Sequence, residues 1–159
     1  MTFGSVPIQC RAVGVVVLAG SGAGARVLLL KRGTGSFIGE WSLITGRIEA
    51  DEPAWNAAVR EVHEEAGLVV ARLYSAGYCD SFYQPDSNGL EIVPIFVAAI
   101  DAPGPVTLND ENTDFRWVTA QEAIALVPFH GHRIALAGVV HDFIDRPHQK
   151  WRRIRQYQP

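Results

Sequence analysis

Two runs of apolar, mostly β-branched residues open the chain, at 11–19 and 26–32, and the Ser21-Gly-Ala-Gly-Ala25 between them is turn chemistry. The pattern predicts a β-hairpin. The link is not a phosphate cradle, because it lacks the Gly-Lys-Ser/Thr ending of a P-loop and leads into a strand rather than a helix. Residues 71–83 and 90–100 read as two further strands joined through Gln84-Pro-Asp-Ser-Asn-Gly89, whose Pro and Asn-Gly favour a turn. Residues 115–118 add a short strand.

Elsewhere the period of the apolar positions lengthens to that of a helix. Asp51 as N-cap, Pro53 in the first turn and Gly67 at the left-handed C′ position bracket a helix over 52–66. On it Trp55, Val59, Val62 and Ala66 fall in one arc suited to packing on a sheet. Thr119 with Glu122 three residues on announces a helix over 119–126, and 131–145 gives another. The end, 147–159, mixes Lys150, Arg152, Arg153 and Arg155 with Trp151 and Tyr157 and reads as a solvated or partner-packed tail. The elements define an α+β chain.

Composition narrows the picture. A chain of 159 residues fits one domain, 1–159 with its core at about 10–145, and 48% hydrophobic against 19% charged residues excludes disorder. With 14 Lys and Arg against 17 acids, the net charge of −3 gives no global field for nucleic acid, so no nucleic-acid partner is expected. An anionic substrate must be held locally. Cys10 and Cys79 lie far apart without metal-site spacing and no signal core opens the chain, so a reducing cytoplasm is the expected location. The strongest apolar run, 13–19, is far shorter than the ~20 residues a bilayer demands, and no membrane association is expected. His130, His132, His141 and His148 match no common zinc spacing, and surface or capping roles are expected of them.

On the helix over 52–66, Glu61, Glu64 and Glu65 share the face opposite Trp55 and Val62. Three like charges near a helix C-terminus repel one another and oppose the macrodipole. Either this is a solvated acidic face or a divalent cation neutralises it. All-carboxylate ligation would select Mg²⁺ or Mn²⁺ over zinc.

The frame around the carboxylates decides between these. From Gly46 to Leu68 the chain matches the Nudix box, G-x5-E-x7-R-E-U-x-E-E-x-G-U with U aliphatic, at Gly46, Glu52, Arg60, Glu61, Val62, Glu64, Glu65, Gly67 and Leu68. The chain thus resembles the Nudix hydrolases over about residues 10 to 145. That resemblance implies an α/β/α sandwich with a mixed sheet, and Mg²⁺-dependent attack of water on a diphosphate linkage. It makes Glu61 and Glu65 the principal metal ligands, Glu64 a further ligand or water-holder, and the Thr45 carbonyl a backbone ligand. Arg60 resembles the residue that orients the carboxylates through Glu52. Glu111, in Leu108-Asn-Asp-Glu-Asn-Thr-Asp-Phe-Arg-Trp117, resembles the family's additional acid, a ligand or general base, with Asn112 in place of the usual His and Asp110 and Asp114 as neighbouring candidates.

Other segments bear on the substrate. Lys31 and Arg32 resemble a basic pair that reaches substrate phosphate. Trp41-Ser-Leu-Ile-Thr-Gly46, Phe82-Tyr83 and Leu90-Glu-Ile-Val-Pro-Ile-Phe96 resemble the branch that converts dATP or dihydroneopterin triphosphate to a monophosphate and pyrophosphate. Phe82, Tyr83 or Phe129 would then stack on a flat ring. ADP-ribose and dinucleoside polyphosphate hydrolases are rival branches, the second favoured by Tyr83, and a non-catalytic nucleotide-binding domain is the rival class. The resemblance also admits a homodimer.

Overall fold

The computed structural model describes residue 1 and residues 4–156. In chain order the elements are β1 (Ile8–Gln9), β2 (Ala12–Ala19), β3 (Arg26–Arg32), β4 (Trp41–Ser42), β5 (Ile44–Arg47), α1 (Ala54–Ala66), β6 (Arg72–Gln84), β7 (Gly89–Ile100), β8 (Asn112–Val118), α2 (Ala120–Leu126), α3 (His130–Val139) and β9 (Arg153–Gln156). The strands form one mixed sheet in the order β4-β3-β2-β7-β6-β9, with β1 beside β7, β5 beside β2 and β8 beside β3. The pair β2–β7 is parallel and β6–β7 antiparallel.

β2 sits at the centre and is apolar on both faces, as a strand covered on both sides must be. Val13, Val15 and Val17 pack with Ala57, Ala58, Val62 and Ala66 of α1. Val16 and Leu18 face the other way, toward Ala123 of α2, Ala135, Leu136 and Val139 of α3, and Phe143. Helices therefore cover both faces, giving the α/β/α sandwich. No helix among the described residues is long and apolar enough to cross a membrane.

Several expected boundaries move. The β2–β3 hairpin pairs only at Leu18↔Val27 and Ala19↔Arg26, because β2 then turns its edge to β5 while β3 goes to β8 and β4. Helix α1 begins at Ala54 with Pro53 as N-cap, and Asp51 stands instead at φ 61°. The reason is local: Glu52 closes a turn with Glu49, its N–H reaching Glu49 O at 3.2 Å and its Oε2 accepting from Glu49 N at 3.1 Å. Gly67 does occupy the left-handed position, at φ 66°. The Thr119–Glu122 capping box forms as read, with Glu122 N donating to Thr119 Oγ1 at 3.2 Å and Thr119 N to Glu122 Oε2 at 2.7 Å. The last helix starts at His130 and widens into a π-turn over Val140–Ile144.

The basic tail is not a solvated end throughout. Its β9 pairs with the edge of β6, and Arg152 Nη1 donates to Ala76 O at 3.1 Å and to Asp142 Oδ2 at 2.8 Å. Tyr157 lies outside the described residues.

Candidate active site

The site grows from the junction of β5 with α1. Strand β5 pairs with β2 through Ala12↔Arg47, Val13↔Gly46 and Gly14↔Thr45, which lays the Thr45-Gly-Arg47 backbone against the acidic flank of the helix. Gly46 is obligatory there: a Cβ at this position would stand 1.9 Å from Glu61 Cδ and 2.1 Å from its Oε1. The glycine lets Glu61 lie on the strand.

Arg60 ties the three pieces of chain together. Its Nε and Nη2 donate to the two oxygens of Glu52, each at 2.9 Å, and Nη2 also reaches Arg47 O at 2.8 Å. Its Nη1 donates to Glu61 Oε1 at 2.8 Å and Glu64 Oε2 at 3.0 Å. A forked guanidinium is suited to such bidentate work, and the loop, strand and helix are thereby fixed relative to one another. The guanidinium holds the Glu52 carboxyl down at about 2.

Burial acts in the opposite direction on the two innermost acids. Glu61, 9% exposed, is pushed up by burial, and Arg60 offsets part of the effect. Glu65, 6% exposed, is pushed up to about 8, first by burial and then by the charges of Glu61 and Glu111. A neutral group, Asn112 Nδ2, donates to it at 3.1 Å. That amide belongs to a short loop in which Asn109 Oδ1 accepts from Asn112 Nδ2 at 3.0 Å and from Glu111 N at 3.2 Å.

Glu61, Glu64, Glu65 and Glu111 share an open cleft of about 660 Å³ with Thr45 and Arg32. Arg32 donates through Nε to Ser36 O at 2.9 Å and attracts Glu65 electrostatically. Lys31 instead leans over the Trp41 ring, 5.8 Å from its centroid, and does not line the cleft. Tyr83 is also outside it, its hydroxyl donating to Asn88 Oδ1 at 2.8 Å. Asp110 and Asp114 do not line it either, and Asp114 Oδ1 accepts from its neighbour Phe115 N at 2.8 Å.

As these side chains stand, no three acids, histidines or cysteines among the described residues converge on one point. Arg60 has drawn Glu61 and Glu64 to itself, whereas Glu65 and Glu111 have no cationic side chain in contact. The donor set is nonetheless all oxygen, with a buried carboxyl that among the described residues only a neutral amide partners, and this fits a hard divalent cation.

The Asn109–Asn112 bridge was not legible in the sequence, where Asn112 showed only as a departure from the family pattern. His132 also departs from its expected surface or capping role. Its ring packs edge-on to Phe129 at 5.0 Å, its Nδ1 accepts from Leu43 N at 3.4 Å, and burial brings it down to about 4. It follows the apolar side of α3 rather than any metal spacing.

A three-layer fold with an arginine-braced acidic helix set against a glycine-bearing strand defines the Nudix class of domain. The family described as NUDIX domain matches residues 9–142, and the chain belongs to it. An octanoyltransferase of Myxococcus xanthus is 36% identical over 131 residues, which cover 80% of this chain but only 36% of that longer protein. The nucleoside triphosphatase NudI of Escherichia fergusonii is 30% identical over 95 residues, 55% of this chain and 67% of that one. The solved E. coli dihydroneopterin triphosphate pyrophosphohydrolase superposes with a TM-score of 0.69 at 22% identity, covering 86% of this chain and 99% of its own. That likeness is one of fold.

Proposed function

We propose that the protein is a divalent-metal-dependent hydrolase that converts a nucleoside or pterin triphosphate to the monophosphate and pyrophosphate. The observation that carries this reading is Glu65: a buried carboxyl pushed up to about 8, facing Glu61 and Glu111 in a cleft that also presents Arg32. A protein maintains so costly a group where a ligand repays it. The triphosphate preference is supported by the name of the NudI relative and by the segments that resemble the triphosphate branch.

In this reading Mg²⁺, or Mn²⁺, would be held by Glu61, Glu64, Glu65, Glu111 and the Thr45 carbonyl. When bound, it supplies neutralisation of the phosphate charge and acidification of water. Glu64 or Glu111, the exposed carboxylates of the cleft, accepts the proton that water loses as it attacks phosphorus. Arg60, saturated by Glu52 and Arg47 O, positions Glu61 and Glu64 rather than touching substrate. Phosphate contact falls to Arg32, since Lys31 and Tyr83 stand outside the cleft. Acyl transfer is not carried over from the Myxococcus protein, because the match covers only 36% of that protein's length. A cytoplasmic location fits the two exposed, unbridged cysteines, Cys10 and Cys79.

ADP-ribose and dinucleoside polyphosphates contain the same anhydride, and a non-catalytic domain would bind without turnover. The deciding experiment offers dNTPs, dihydroneopterin triphosphate, ADP-ribose and diadenosine polyphosphates with Mg²⁺ and identifies the products. Pyrophosphate with a monophosphate, abolished by EDTA, is expected. Turnover confined to ADP-ribose or the dinucleotides, or none on any compound, would contradict the proposal.

A further inference from the structure

A second hollow, of about 620 Å³, opens beside the carboxylate cleft, with walls from Arg11, Arg47, Ile48, Phe82, Gln84 and Glu91. Ala12 and Arg47, partners across β2 and β5, line both spaces, so a molecule whose phosphates occupy one has a direct path into the other. A hollow of this size suits a small-molecule ligand. Arg47 stands at the junction and makes no ion pair among the described residues.

The chemistry of the walls is specific. Phe82 is 45% exposed and lies directly across the β6–β7 ladder from Glu91, on the same face of the sheet. An aromatic ring left open beside a polar hollow is a stacking platform. Glu91 is only 6% exposed, and Arg11 grips it three times: backbone N–H to Oε1 at 3.0 Å, Nε to Oε2 at 3.2 Å and Nη2 to Oε2 at 2.8 Å. Oε1 accepts a single bond and so retains acceptor capacity for a ligand N–H. Gln84 adds an amide to the same wall.

We infer that this hollow seats the planar ring of the substrate, and that Glu91, positioned by Arg11, selects rings with a 2-amino-oxo edge, the edge shared by guanine and pterins. Such an edge presents a ring N–H beside an exocyclic amino group: the acceptor site left open on Glu91 Oε1 takes one, and the Gln84 side-chain carbonyl on the same wall takes the other. Adenine and cytosine offer the amino group alone. The ring N–H of thymine lies between two carbonyl oxygens that repel a carboxylate. The inference rests on the phosphate reading of the neighbouring cleft, and it assigns to Phe82 the stacking and to Glu91 the discrimination.

The test is calorimetric binding of dGMP and dTMP in EDTA, with no divalent metal, to the wild type and to Phe82→Ala and Glu91→Gln. The expected result is dGMP at least about tenfold tighter than dTMP, each weakened about tenfold by Phe82→Ala with the ratio preserved. Glu91→Gln should narrow the ratio to within about threefold. Should Glu91→Gln unfold, Arg11→Lys, which keeps the charge and loses the fork, takes its place with the same expected loss of discrimination. Equal affinity for the two nucleotides, no binding of either, or Phe82→Ala behaving as wild type would overturn the inference. Because these measurements exclude metal, they separate it from the hydrolytic reading: loss of triphosphate turnover in Glu65→Gln would sustain the latter even if no ring preference exists.

Discussion

Asn112 donates its side-chain amide to Glu65 Oε2 at 3.1 Å, and through Asn109 the same amide is tied to the backbone of Glu111. A helix acid and a loop acid are thus spaced by one small network. Neighbours of this kind fix the orientation of ligating carboxylates. Replacing Asn112 by Leu removes the donor at similar size. Mn²⁺ affinity measured by calorimetry should fall about tenfold with a nearly unchanged melting temperature, and Asn112→His, which restores an N–H, should recover most of it. Unaltered Mn²⁺ affinity in the Leu variant would reduce the amide to a loop tether.

Gly46 and Glu61 are in contact so close that any side chain at 46 must displace the carboxylate. The variant Gly46→Ala should fold, because the obstruction is a side-chain end rather than backbone, and lose turnover by about 100-fold or more. Steady-state kinetics alongside circular dichroism checks both halves. Turnover within threefold of wild type would mean that Glu61 need not sit on β5.

The tail offers a stability test. Arg152 joins Ala76 O to Asp142, both partners partly buried. Urea unfolding of Arg152→Ala should show a loss of about 1 to 3 kcal/mol, typical of a hydrogen bond to a charged group with its partners left behind. No loss would mean that the segment behaves as a solvated end.

His132 makes stability depend on pH. Burial lowers its folded-state value to about 4 from the ordinary 6.5. Above 6.5 the ring is neutral in both folded and unfolded chains and stability is complete; below it the unfolded chain takes up a proton that the folded chain refuses until about 4. Stability therefore falls as pH drops through this window, by about 2 to 3 kcal/mol. Urea titrations at pH 7 and pH 4 should show a shallower fall for His132→Gln by that amount. Equal falls would remove the histidine from the account.

How far the sequence could be read follows from the range of the forces involved. The β2, β3, β6 and β7 strands and the α1 and α2 helices were legible because each carries its own period or cap, as the Thr119–Glu122 box does. The short strands β1, β4, β5 and β9 span two to four residues, too few for any period, and exist only because a neighbouring strand supplies partners. Asp51 looked like a helix cap on local chemistry, but the Glu49–Glu52 turn overrides it. In the site, the glutamates of α1 were readable from helical spacing. The Asn112–Glu65 bond, 47 residues apart in sequence, and the enclosure of His132 against Leu43 are products of the fold alone.

The carboxylates of α1 are proposed to serve a divalent cation in the hydrolysis of a phosphoanhydride. The most direct test is the turnover of Glu65→Gln at saturating Mg²⁺ on the best triphosphate of the panel, with folding checked by thermal melting. The expected result is a drop of about a thousandfold or more in kcat with the fold intact. A folded variant that turns over within threefold of the wild type would contradict it.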